Sequence, residues 1–352
     1  MDIMEWIREK LKPEPCNSDK FIYDDMDSQS GRSLPIVYEP FDAAKKAHWR
    51  DRGALHDYLL STLGDGKLLM DFGPGDGWPS LIVAPYVSRV IGVEGSIRRA
   101  KVCAENAARL GISNAEFIYV PQGSPLPFED NTFDGIMAAS SIEQTQDPKR
   151  TLKELFRVLK PAGRLRISYE SLEAYRNGQE RDVWLCPINS RKCRLIIFDR
   201  DIDKESALQY GLTFALSSQE TRNNFSKDAS RISFDKVTVP ILETMRSFIT
   251  DSRTCTTIHP SGKTLLLWLR EIGFGEIIAS YNGISIAGQL FESLPEATRP
   301  RTLSEVDDYL RPIVRVVVNM QAPIEMNPML TAIKTGKAKS TPDFSDGIGG
   351  AV

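Results

Sequence analysis

Apolar residues follow two alternating spacings through the first half of the chain. Short apolar runs at 67–72 (KLLMDF), 89–94 (RVIGVE), 115–120 (AEFIYV), 133–139 (FDGIMAA) and 164–169 (RLRISY) have the length of buried strands. Between them lie stretches with apolar residues three and four apart. The segment 147–160 puts Leu152, Leu155, Phe156 and Leu159 on one stripe and stops before Pro161, and 42–63 carries Trp49, Leu55, Leu59 and Leu60 in the same manner. Strands separated by helices need crossover connections, so the pattern predicts a doubly wound α/β fold with a mostly parallel sheet.

After about Tyr169 the alternation breaks for roughly ninety residues. The runs at 194–202 (RLIIFDRDI) and 207–216 (ALQYGLTFAL) read as two strands joined by a charged turn, and 239–249 reads as a helix. Regular alternation returns with a helix at 260–274 ended by Gly273 and a strand at 275–281. A helical stretch at 303–320, which Pro312 should kink or split, precedes a last strand at 328–334. The expected organisation is an N-terminal lid segment (1–41), a core (42–169), an inserted substrate-side subdomain (170–258), the end of the core (259–335) with a helical insertion at 284–326, and a disordered tail (336–352) poor in apolar residues.

Composition narrows the reading further. The chain has 352 residues, 41% hydrophobic and 26% charged, with a net charge of −3, which offers no general attraction for a polyanion and argues against nucleic acid as partner. The five cysteines are scattered and form no CxxC pair, which suits reduced thiols in the cytoplasm. No apolar run reaches the roughly 20 residues that span a bilayer. The acids at 199–205 suggest a calcium loop only superficially. Lys204 stands where the sharp-turn glycine belongs, so the segment reads as a charged hairpin, and no metal is expected.

The chemistry concentrates after the first strand of the core. Gly73, Gly75 and Gly77 follow the apolar strand directly, where the missing Cβ atoms permit a tight turn and close approach of backbone to a ligand. Their spacing is GxGxG, one residue shorter than the dinucleotide fingerprint, which argues against NAD or FAD. The next strand ends in Glu94, where a carboxylate can accept hydrogen bonds from both hydroxyls of a ribose.

With these features the chain resembles the class I S-adenosylmethionine-dependent methyltransferases, in particular the small-molecule group of the ubiquinone/menaquinone-biosynthesis and sterol methyltransferases. The stretch GSPLPFEDNTFDGIMAASSIEQTQDPKRTLKELFRVLKPAGRLRIS carries the most specific part of that likeness, an LPF-x-D-x-x-FD segment followed by a KPAG turn in which Ala162 stands for the usual glycine. The resemblance implies a seven-stranded Rossmann-like sheet and methyl transfer to a small or medium organic acceptor. It also implies that Asp71, Gly73, Gly75 and Gly77 hold the methionine end of the cofactor, Glu94 the ribose, and Gln122, Gly123 and Ser124 the adenine edge, with Ala138 and Ala139 flanking the sulfonium. Glu143 lies where such relatives often carry a histidine, and His259 stands where the chain re-enters the core, so both are candidate acid–base groups. Competing readings are a nucleic-acid or protein methyltransferase and a binding module that retains the cofactor without catalysis.

Overall fold

The computed structural model describes residues 2–18, 21, 39–175, 178–225 and 232–335. The tail at 336–352 therefore lies outside the described residues, as does 22–38 of the expected lid. The described chain runs α1 (Ile3–Trp6), β1 (Glu14–Pro15), α2 (Lys46–Thr62), β2 (Leu68–Phe72), α3 (Ser80–Val83), β3 (Arg89–Glu94), α4 (Ile97–Arg109), β4 (Ala115–Tyr119), β5 (Phe133–Ala139), α5 (Pro148–Val158) and β6 (Leu159–Ser168). Then follow β7 (Arg181–Asn189), β8 (Lys192–Asp201), β9 (Ser206–Phe214), α6 (Ser218–Phe225), α7 (Val239–Met245), β10 (Ile249–Ile258), α8 (Gly262–Ile272), β11 (Phe274–Ser280), α9 (Gly283–Ser293), α10 (Leu303–Val317) and β12 (Met329–Lys334).

These strands form two sheets. The larger has seven strands in the order β11-β12-β6-β5-β2-β3-β4. Its β6-β5-β2-β3-β4 portion is parallel, and β12 runs antiparallel to both neighbours. This is the mostly parallel, doubly wound α/β architecture that the alternating spacings predict. Period-two alternation decides which face each side chain covers. Met70, Ile136 and Leu165 face Leu152 and Leu155 of α5 and Leu265 and Leu269 of α8, whereas Leu69, Val90 and Met137 face Ala54, Leu55, Tyr58 and Leu59 of α2.

Two helices meet a proline with different results. The helix after the glycine loop is one turn, α3, and gives way at Pro85 to a 3-10 turn over Ala84–Tyr86, because proline supplies no N–H to continue it. Helix α10 is not split: it runs unbroken from Leu303 to Val317 through Pro312.

The second sheet has the order β1-β10-β9-β8-β7, with antiparallel pairing except for β1 on β10. Its buried face gathers Leu195, Ile197, Leu212 and Phe214, and against them pack Met4, Trp6 and Ile7. Residues 2–18, expected in a lid, thus extend the core of this sheet. Their apolar residues find a dry surface there, and the Trp6 indole N–H donates to Glu243 Oε1 at 2.6 Å. The segment nonetheless ends beside the larger sheet, where the buried Ser18 hydroxyl donates to Gln122 Oε1 at 3.4 Å. Ile202–Glu205 forms the β8–β9 turn, in which Lys204 donates from its backbone N and from Nζ to Asp201 at the end of β8.

Candidate functional site

At the C-terminal ends of β2, β3 and β5 the loops part to leave a cavity of about 580 Å³. Its wall includes Gly73 and Gly75 after β2, Glu94 at the end of β3, Gln122–Ser124 after β4, and Ala139–Ser141 after β5. Ligands of open α/β sheets bind in this position because the strand ends diverge there and expose backbone N–H groups.

The loop after β2 takes a shape that its glycines make possible. Gly73, Gly75 and Gly77 have φ of +75°, +67° and +110°. A Cβ on Gly73 would stand 2.5 Å from that of Ser141, whose hydroxyl donates to the Phe72 carbonyl at 2.6 Å. The loop after β2 and the loop after β5 therefore touch through a glycine, and a larger residue would force them apart.

Glu94 is 3% exposed, and its carboxylate is held from both sides. Gly75 N–H donates to Oε2 at 3.0 Å and Ser96 N–H to Oε1 at 3.2 Å. Burial raises its pKa, opposed by the charge of Arg99 and by these backbone donors. Each oxygen retains a lone pair, so the carboxylate can still accept from a bound hydroxyl. Gln122 crosses the other end of the cavity: its Oε1 accepts from Gln146 N–H at 3.1 Å.

Asp71 is placed differently from Glu94. It is fully buried beneath the loop and is absent from the cavity wall. Its Oδ2 accepts from the Ser80 N–H at 3.0 Å and the Ser80 hydroxyl at 2.6 Å, which ties the end of β2 to the start of α3. Burial raises its pKa to about 7, against the lowering effect of Ser80. Gly77 and Ala138 likewise stand behind the wall, whereas Gly123, Ser124 and Ala139 are part of it.

The two candidate acid–base residues meet at the backbone of one residue, Glu170. Glu143, in the 3-10 turn Ile142–Gln144, accepts the Glu170 N–H on Oε1 at 3.1 Å, while His259 Nε2 lies 2.8 Å from the Glu170 carbonyl oxygen. The remaining oxygen of Glu143, Oε2, is buried without a partner among the described residues, and burial raises the carboxyl to about 7. Burial lowers the pKa of His259, whose ring stands edge-on to Tyr175 at 5.8 Å. Neither side chain lines the cavity; Ser141 and Gln144, on either side of Glu143, do. The other histidines have structural partners: His48 Nδ1 accepts from Asp42 N–H at 2.7 Å, and His56 Nε2 lies 3.0 Å from Asp307.

The cavity also contains residues that sequence reasoning passed over, among them Trp78, Arg99, Ser140 and Thr145. The φ of +50° at Ser140, which turns the chain sharply after β5, has no signature in residue type.

Residues 70–167, the stretch that supplies most of this wall, match the methyltransferase-domain family. The chain is similar to sterol 4-C-methyltransferase strm-1 of Caenorhabditis elegans, with 32% identity over 131 residues, covering 37% of this chain and 38% of that protein. It is similar to the uncharacterized methyltransferase YcgJ of Bacillus subtilis (strain 168), with 34% identity over 98 residues, covering 27% and 38%. A third relative is the ubiquinone/menaquinone biosynthesis C-methyltransferase UbiE of Cronobacter sakazakii, 32% identical over 110 residues, covering 29% and 42%. The chain spans about two fifths of the length of these relatives. The matched stretch ends at Ile167, within β6, so Glu170, Tyr175, the second sheet and His259 all lie outside it.

Proposed function

We propose that this chain transfers a methyl group from S-adenosylmethionine to a small or medium organic acceptor. The observation that carries this reading is the cavity itself, in which the GxGxG loop, the buried Glu94 carboxylate and the Gln122–Ser124 edge converge within a methyltransferase domain. The residues suit the cofactor. Glu94 offers acceptors to ribose hydroxyls, the backbone of Gly73 and Gly75 receives the methionine end, Gln122, Gly123 and Ser124 border the adenine, and Ala139 flanks the sulfonium. Asp71 and Gly77 support the loop from behind, and Ala138 orients Ala139 from within β5.

S-Adenosylmethionine supplies a methyl group already activated by its sulfonium, so alignment and exclusion of water carry most of the catalytic burden. Glu143 is the acid–base group of this reading. Its turn joins two residues of the cavity wall, and a carboxyl titrating at about 7 is suited to taking a proton near neutral pH. His259, across Glu170, positions that turn from the far side. The five cysteines, none of which forms a disulfide, suit a cytoplasmic enzyme. Among the described residues no helix is long and apolar enough to cross a membrane.

The test is a thermal-shift series with S-adenosylmethionine, S-adenosylhomocysteine and NAD, followed by detection of S-adenosylhomocysteine release over a panel of phenol, amine and carbon-acid acceptors. Stabilisation by both sulfur compounds and turnover with at least one acceptor are expected. A shift with NAD alone would overturn the proposal, and binding without turnover would leave a cofactor-binding module.

A further inference from the structure

Arg99 occupies an electrostatically unfavourable place in α4. Helix α4 begins at Ile97 with Ser96 as its cap, so Arg98 and Arg99 both fall in the first turn, where the helix dipole favours acids. Helical side chains lean towards the N-terminus, and Arg99 accordingly returns over the loop after β2. Its guanidinium lies against Gly75: a Cβ on that glycine would stand 3.2 Å from Nη1. Gly75 in turn donates to Glu94, so cation, glycine and carboxylate form one contiguous group in the cavity wall.

The charge of this cation acts on the neighbouring Glu94 without an ion-pair contact. Among the described residues it has no ion pair within 4 Å, and its Nε is buried without a hydrogen-bond partner. The other charged residues of the wall are Asp76, Asp147, Arg150 and Glu154. Of these, Asp147 caps α5 through the Arg150 N–H at 2.9 Å, and Glu154 pairs with Arg157 at 2.9 Å. Arg150 stands on α5 with them, so Arg99 is the cation on the side of the glycine loop and Glu94.

The two compounds expected in this cavity differ by one charge. S-Adenosylmethionine carries a sulfonium that S-adenosylhomocysteine lacks, while their adenosine and amino-acid ends are the same. A fixed cation beside the ribose carboxylate therefore penalises the donor relative to the product. We propose that Arg99 sets the ratio of affinities for donor and product at this site, favouring the neutral product; this rests on the function proposed above. Product that stays bound at low donor concentration would make turnover follow the ratio of the two compounds.

The test is calorimetric titration of the intact chain, Arg99→Met and Arg99→Lys with each compound. Arg99→Met keeps much of the side-chain volume and removes the charge. It is expected to raise the affinity for S-adenosylmethionine relative to S-adenosylhomocysteine by about three- to tenfold, the effect of one charge lost from a partly screened site. Arg99→Lys should keep the original ratio even if both affinities fall, and added salt should shrink the difference between the intact chain and the Met variant. Equal changes for both compounds in Arg99→Met would overturn the role of Arg99 and leave the proposed function standing. Failure of the intact chain to bind either compound would overturn both.

Discussion

Arg166 of β6 grips Asp57 of α2 with two parallel hydrogen bonds, Nε to Oδ1 at 2.7 Å and Nη2 to Oδ2 at 2.9 Å, and both side chains are fully buried. The rest of each group is satisfied as well. Arg166 Nη1 donates to Ser280 Oγ at 2.7 Å and Thr331 Oγ1 at 3.0 Å, and Asp57 Oδ2 accepts the Gly283 N–H at 2.8 Å. One ion pair thus joins α2, β6, β11, β12 and the start of α9. Asp57→Ala would leave a buried guanidinium without its counter-charge and should destabilise the fold by about 3–5 kcal/mol in urea unfolding. The paired replacement Asp57→Leu with Arg166→Met should cost much less. An equal loss in both would show that packing at these positions, and not charge pairing, dominates.

Glu143 should make stability depend on pH in an unusual sense. Its folded-state pKa, raised by burial to about 7, lies above the ordinary value of 4.5, so the folded protein binds the extra proton between these values. Stability is then highest below about pH 4.5, as far as this group is concerned, and falls as pH rises to about 7. Glutamine mimics the protonated form and keeps an acceptor for the Glu170 N–H. Glu143→Gln should therefore match the unaltered protein near pH 5 and exceed its stability by about 1–3 kcal/mol at pH 8, a range reduced for the partial exposure of the residue. Equal stability curves from pH 5 to 8 would refute it.

At the ribose end, Glu94→Gln should weaken both S-adenosylmethionine and S-adenosylhomocysteine by about 1.5–3 kcal/mol, the usual value of hydrogen bonds to a charged group. Calorimetric titration with each compound measures this. Affinities unchanged within twofold would remove Glu94 from the site.

Ala162 offers a gain of stability. The KPAG turn holds it at φ +64°, a left-handed conformation in which a Cβ crowds the following carbonyl. The alanine there is less innocuous than its small size suggests. Ala162→Gly should stabilise the fold by up to about 1 kcal/mol, since relief of the strain exceeds the added entropy of the unfolded chain. A lower melting temperature than that of the unaltered protein would contradict this.

Much of the larger sheet was legible in the order of residues, because strand and helix impose periods of 2 and 3.6 on any segment that buries one face. Leu69 and Met70 or Leu152 and Leu155 declare their faces without knowledge of their partners. The positions of the loop glycines and of Glu94 were legible for a related reason: a tight turn after a strand and an acid at the next strand end are local features. Other relationships depend on contacts remote in sequence. Asp71 and Glu94 are both acids at strand ends, yet one is turned inward by Ser80 and the other faces the cavity, a choice made by packing above and below the sheet. Ile3, Ile7 and Leu11 have the apolar spacing of a helix, but that spacing names no surface, and only the second sheet supplies one. The backbone N–H and carbonyl of Glu170 join Glu143 to His259 across separations of 27 and 89 residues. Periodicity reports how a segment divides water from core; which side chains then meet is decided by the closing of loops, and that is a property of the folded chain alone.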